Sequence, residues 1–207
     1  MIKIITLAAL LLSCAVIPAQ VTREEEKELF RPLFNGRNLD GWEGDPRLWR
    51  VRDQMIVGST EGVTLDDNSF LSTKQYFGDF LLRVEVKLRN HNSGIQFRSE
   101  ALPNWVVRGY QADLAENNYW GCLYDEKGTR GILVNGWIGK AERVVRNNDW
   151  NDYEIFCDGD LIRLRLNGLV TAELRDSARR TGIIALQLHR GPPMEAYFRN
   201  LRIKVLR

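Results

Sequence analysis

From Leu33 onward, apolar and polar residues alternate in short runs separated by Gly, Asn and Asp, the pattern of antiparallel sheet. In Phe80–Leu88, Leu82, Val84, Val86 and Leu88 share one face while Arg83, Glu85 and Lys87 share the other, because successive side chains of a strand point to opposite sides. The same alternation from Gly94 to Arg98 buries Ile95 and Phe97 and turns Gln96 and Arg98 outward. From Ile183 to His189 it turns Gln187 and His189 away from Ile184, Leu186 and Leu188. Two dipeptides that favour tight hairpins, Asp158-Gly159 and Asn167-Gly168, divide Tyr153–Cys157, Leu161–Leu166 and Leu169–Leu174 into a three-strand meander. A last strand, Ala196 to Leu206, brings Phe198, Leu201, Ile203 and Val205 to complete a core, so the two ends of the domain are predicted to meet in one sheet. About a dozen such strands predict an all-β jelly-roll sandwich of two antiparallel sheets rather than a barrel.

The first residues follow a different pattern. Lys3 precedes an apolar run from Ile4 to Leu12, and small residues follow, as in an export signal. Two exits are readable. One is cleavage after Ala19, in Ile17-Pro18-Ala19-Gln20; the other is lipid attachment at Cys14, in Leu11-Leu12-Ser13-Cys14, which resembles a bacterial lipobox. The organisation read from the chain is therefore a signal peptide over residues 1–19, a charged leader over 20–31 and one sandwich domain over 32–207. Within the leader, Thr22 followed by Glu25 either caps one short helix or belongs to a solvated segment. No later stretch approaches the roughly 20 apolar residues a spanning helix needs. The expected location is periplasmic or extracellular, soluble or tethered by lipid.

Charge adds little, since 29 Lys and Arg against 27 Asp and Glu give a net charge of +2 and no nucleic-acid footprint. Cys122 and Cys157 either close one disulfide or remain buried thiols. There is no GxSxG, HExxH, P-loop or dinucleotide fingerprint, so any chemistry comes from dispersed residues. Of the two histidines, His91 and His189, only His189 lies on an outward strand face. Between Trp105 and Trp137, aromatic residues such as Tyr110, Tyr119, Trp120 and Tyr124 are interleaved with Gln111, Asp113, Asp125 and Glu126. Aromatic rings that stack on the apolar faces of sugars, with amides and carboxylates for their hydroxyls, suit a saccharide better than a nucleotide. Glycosidases set two carboxylates across the scissile bond, and Asp113, Asp125, Glu126 and Glu142 are available, but no spacing identifies a pair. Asp66-Asp67-Asn68 suits either an Asx turn or a calcium ligand set.

Several blocks in order resemble the 3-keto-disaccharide hydrolase domain family of the concanavalin-A-like lectin/glucanase superfamily. They are Leu33-Phe-Asn-Gly-Arg-Asn-Leu-Asp-Gly-Trp42, Tyr76-Phe-Gly-Asp-Phe80, Asn92-Ser-Gly-Ile-Gln-Phe-Arg98, Gly109-Tyr-Gln-Ala-Asp113, Gly121-Cys-Leu-Tyr124, Gly182-Ile-Ile-Ala-Leu-Gln-Leu-His189 and Phe198-Arg-Asn-Leu-Arg-Ile203. The resemblance implies a jelly roll whose concave sheet binds sugar and hydrolysis of glycosides oxidised at C3. Many members carry Glu and Gln where this chain has Gln111 and Asp113, so the local acid has moved by two positions along the same strand face.

A C3 ketone acidifies the C2 proton, so a general base can start an elimination that expels the C1 substituent, after which water adds back. The groups this route needs are expected to be Asp113 or His189 as base, Arg98 or a bound divalent cation such as calcium for the enolate, and Tyr124 or Glu142 near the leaving group. Gln96, Gln111, Trp120, Trp137 and Gln187 are the expected substrate contacts, and the expected partner is an oxidised disaccharide or glycoside. A non-catalytic carbohydrate-binding module and a structural surface protein are the competing readings, since one sandwich hosts all three.

Overall fold

The computed structural model of the chain describes residues 29–206. The signal segment, its two exits at Ala19 and Cys14, and the Thr22–Glu25 pair lie outside the described residues. The strands are β1 (Arg31–Pro32), β2 (Trp42–Glu43), β3 (Trp49–Arg52), β4 (Met55–Ser59), β5 (Ser69–Thr73), β6 (Phe80–Leu88), β7 (Asn92–Leu102), β8 (Val106–Ala115), β9 (Leu123–Glu126), β10 (Gly131–Val134), β11 (Asn151–Asp158), β12 (Leu161–Leu166), β13 (Leu169–Arg175), β14 (Ile183–Leu188) and β15 (Glu195–Val205). Two 3₁₀ turns, Pro103–Trp105 and Ala141–Arg143, interrupt them. No helix among the described residues is long and apolar enough to cross a membrane.

The strands form two antiparallel sheets, a jelly-roll sandwich as the alternation predicts. The first runs β13-β12-β11-β6-β15-β4-β3 with β1 added alongside β15; the second runs β10-β9-β8-β7-β14-β5-β2. The ends of the domain do meet, with Arg31 opposite Ile203. Residues along β6 alternate between buried and half-buried, and β12 does the same, because one face of the first sheet packs inward. Leu82, Val84, Val86, Ile155, Leu164 and Phe198 from this sheet meet Ile95, Phe97, Tyr110, Leu114 and Leu186 from the other in one core. Each such side chain taken fully from water contributes about 1.5–3 kcal/mol.

Three local expectations shift. The β12–β13 loop is Asn167-Gly168, both with positive φ, as the dipeptide predicts, but the β11–β12 loop is Gly159-Asp160, one residue later than Asp158-Gly159, since Asp158 pairs with Leu161. Val205 is 45% exposed and is not core: it shares a face with the buried Leu201 and Ile203 but lies at the last residue of β15. Cys122 and Cys157 are buried free thiols, so no disulfide joins them.

The two outer faces differ in kind. On the first sheet, charges neutralise one another across strands: Arg83 pairs with Glu154 at 2.9 Å, Arg199 pairs with Glu85 at 2.7 Å, and Arg199 and Lys87 lie over the Trp150 ring. On the second sheet, β7, β8 and β14 are buried on both faces, and the outer face carries amides and carboxylates in place of charge pairs.

Candidate functional site

The register of the second sheet gathers that polar face. Gln96 of β7 lies opposite Gln111 of β8, which lies opposite Tyr124 of β9. One rung away, Gly94 lies opposite Asp113, and the β7–β14 register, which pairs Ile95 with Leu186, carries Gln187 to the other side of Gly94. Two strand spacings put Gln187 and Asp113 roughly 10 Å apart. Gly94 is needed there for close approach, since a Cβ on it would collide with the Gln111 side chain lying across β7.

A cleft of about 510 Å³ opens over this floor. Its walls include Asn92, Tyr124, Glu126, His189 and Tyr119, with Asp66, Asp67 and Asn68 from the loop before β5.

A chain of hydrogen bonds runs along the floor and ends on Asp113. The Ser99 hydroxyl donates to Gln96 Oε1 (2.8 Å), Gln96 Nε2 donates to Gln111 Oε1 (2.6 Å), and Gln111 Nε2 donates to Asp113 Oδ1 (2.6 Å). Every donor points the same way, so one carboxylate oxygen of Asp113 is held. Asp113 is 6% exposed. Burial lifts its pKa to about 7; the Gln111 amide opposes the rise and the nearby Glu126 adds to it. Glu126 is also buried and burial also lifts its carboxyl, a rise opposed by the Asn68 amide, which donates to its Oε1 at 3.0 Å. Asn68 in turn accepts from the Arg190 backbone N–H, and Lys127 pairs with Asp67, so the loop is tied across the cleft mouth. Tyr124, beside both carboxylates, has its phenol raised, first by burial and then by their charge.

His189 stands at the rim with its ring edge-on to His91, centroids 5.0 Å apart. Its Nδ1 lies 2.6 Å from the Arg190 carbonyl oxygen, to which it donates, leaving Nε2 as an acceptor. Burial lowers its pKa, which favours the neutral ring. Gln187 is fully buried, and neither its Oε1 nor its Nε2 has a hydrogen-bond partner; Asn92 Oδ1 is unpartnered as well. Such groups cost free energy unless something satisfies them, and these line the cleft.

The structure thus brings together Gln111, Asp113, Tyr124, Gln187 and His189, with Gln96 holding Gln111 from behind. It does not bring the other four. Arg98 sits at a bulge with φ +46, where the β7–β8 register shifts between Phe97 and Glu100, and its side chain turns inward instead of outward. There its guanidinium donates to the carbonyl oxygens of Gly78 and Gly159 and to Asp79 Oδ1, each at 2.8 Å, with no side-chain exposure. Trp120 is buried in the core and Trp137 packs against it. Glu142 accepts from the Gly139 backbone N–H at 2.6 Å in its own loop.

In the sequence Glu126 stands only as one of four available carboxylates, Asn68 only within an Asx turn or calcium set, and Asn92 has no assigned role. Glu126 had a readable signal, two positions from Tyr124 on the same strand face; Asn68 reaches the site only through the tertiary fold. Among the described residues no three His, Cys, Asp or Glu side chains gather to hold a metal ion.

Comparison with known proteins agrees with this architecture. The family profile described as the 3-keto-alpha-glucoside-1,2-lyase-like domain matches residues 29–204. No curated protein compared with the chain matches it. Among solved structures, a candidate glycosyl hydrolase of Parabacteroides distasonis is similar at 20% identity with a TM-score of 0.67, over 90% of this chain and 98% of that one. A second candidate glycosyl hydrolase from the same organism shows 22% identity and a TM-score of 0.65, over 86% and 99% of the two chains. The carbohydrate-binding module CBM66 of Bacillus subtilis shows 17% and 0.61, over 79% and 95%.

Proposed function

The chain belongs to the 3-keto-alpha-glucoside-1,2-lyase-like domain family, and from that premise we propose that it is an exported enzyme that cleaves 3-keto-disaccharides or 3-keto-glucosides by elimination. One observation carries the reading: a buried carboxyl with a pKa near 7, Asp113, is held at one oxygen by an amide chain and faces an open polar cleft.

In the proposed route the free oxygen of Asp113 takes the C2 proton. The C2–H electron pair becomes the C2=C3 enolate, and its collapse restores the ketone, forms the C1=C2 double bond and breaks the bond from C1 to the leaving oxygen. That oxygen takes a proton from Tyr124 or Glu126. Water adding across C1=C2 completes net hydrolysis. Gln187, with an unpartnered N–H and C=O in one amide, supplies the hydrogen bond that the developing enolate oxygen needs, the role expected of Arg98 before its inward turn. No step is assigned to a cation.

The test is release of free sugar from a small panel of 3-keto-glycosides, run with and without chelator, beside the matching unoxidised nitrophenyl glycosides. Turnover confined to the oxidised substrates supports elimination. Turnover of the unoxidised ones overturns it, and binding without turnover makes the protein a carbohydrate-binding module.

A further inference from the structure

The second sheet has another opening at the far end of the same strands. A groove of about 370 Å³ lies between the β2–β5 edge and the Pro103–Trp105 turn that joins β7 to β8. Glu43 and Ser72, a cross-strand pair, line it with Asn104 and Trp105. Ser72 lies two residues from Phe70, the partner of Gln187, so the groove opens on the face that carries the cleft. Counted along β8 from Asp113 to Val106, the two openings are roughly 20 Å apart. A disaccharide seated on Asp113 does not reach the groove.

Trp105 is the unusual member. It is 38% exposed, and it and Asn104 take the left-handed conformation, φ +62 and φ +60, where bulky side chains are rare. The turn packs against β5, beside a small cluster of Phe70, Val107, Ile183 and Ala185 that is already buried, so that cluster does not need the exposed side of the indole. Tyr119, the other Tyr or Trp with positive φ among the described residues, lines the main cleft. Each opening thus has one aromatic ring presented on a left-handed loop residue.

The lining also narrows the ligand. No Lys, Arg or His borders the groove, and its single charge is the Glu43 carboxylate. An anion, whether phosphate, nucleotide or uronate, has no counter-charge there. A neutral sugar is matched by an indole face for its C–H side and by carboxylate, hydroxyl and amide groups for its hydroxyls. From this geometry we infer that the groove at Trp105 is a second saccharide site that holds neutral oligosaccharide or polysaccharide chains, separate from the Asp113 cleft.

Affinity electrophoresis in gels containing soluble mixed-linkage glucan, starch or xylan, with polygalacturonate as the acidic arm, tests this, and titration with the corresponding hexasaccharides gives affinities. Retardation by at least one neutral polymer is expected. Trp105→Ala weakens it about tenfold, near what one lost ring contact accounts for, and Trp105→Phe retains most of it. Asp113→Asn leaves it unchanged, because the cleft is not involved. Equal melting temperatures confirm that the Trp105 variants are folded, and the site does not depend on whether the cleft is catalytic. Three outcomes overturn the inference: no retardation of the wild-type protein by any neutral polymer, retardation that survives Trp105→Ala, or preference for polygalacturonate.

Discussion

At the residue scale, Asp113 carries a stability cost that doubles as its reactivity. Its folded pKa, about 7, lies above its ordinary 3.8, so folding disfavours the charged form. Below pH 4 both states are protonated and there is no penalty; stability then falls as pH rises, and above 7 the full penalty, on the order of 4 kcal/mol, is present. Asp113→Asn is therefore expected to be more stable than the wild-type protein at pH 8, with the gap shrinking toward pH 4, as read from denaturant midpoints at the two pH values. The same variant loses about 10²–10⁴ in turnover of a 3-keto-glucoside, and wild-type turnover rises with pH through about 7. Equal destabilisation of the variant at both pH values identifies Asp113 as a structural carboxylate. Gln187 obeys a related rule. Gln187→Met, which removes a buried amide with no partner, raises ligand-free stability by about 1–3 kcal/mol while weakening substrate binding; a lower melting temperature means the amide is structural.

At the element scale, the error over Arg98 is instructive. Simple alternation places Gln96 and Arg98 on one face, and it is right for Gln96. It fails two residues later because β7 has a bulge, signalled by nothing local in Phe97-Arg98-Ser99. What rewards the bulge is distant in sequence: the carboxylate of Asp79 and the carbonyl of Gly159 at the hairpin after β11. Arg98→Met leaves Asp79 without its buried partner and strips two carbonyls of their donor. Denaturation should show a loss of about 3–5 kcal/mol, while the fraction that stays folded keeps the wild-type KM and pH profile. A selective loss of kcat in a stable variant returns Arg98 to the chemistry. Strands with plain two-residue alternation, β6 and β12 above all, were legible, as was the β12–β13 turn. At the site, alternation was enough for Gln96, Gln187 and His189, while Gln111, Asp113 and Tyr124 were legible through the aromatic and polar interleaving between Trp105 and Trp137 and the family resemblance. Asn92 lies two residues before Gly94 on the same face of β7, whereas Asn68 contributes its amide through tertiary contacts that no short window contains.

At the scale of the whole molecule, the question is where the folded unit begins, because the export we propose would remove or modify residues upstream of it. Phe30 lies under two guanidinium groups of the first sheet, Arg83 at 4.7 Å and Arg202 at 5.9 Å. Arg31 and Pro32 pair with β15, the Leu33 N–H donates to the Leu201 carbonyl oxygen, and the Trp42 indole donates back to the Leu33 carbonyl oxygen. Residues 30–33 therefore strap the edge of β15 that β4 leaves unpaired beyond Phe198. Cleavage after Ala19 and lipidation at Cys14 both lie upstream of the strap, so the two exits are expected to yield the same folded domain, distinguishable by mass and by partition into detergent or membrane. A chain starting at residue 29 should unfold within about 0.5 kcal/mol of the chain starting at residue 20, whereas one starting at residue 34 should lose about 2 kcal/mol as the ring stacking and β1 pairing disappear. Equal stability of all three makes the strap incidental; failure of the residue-29 chain to fold makes the charged leader part of the domain.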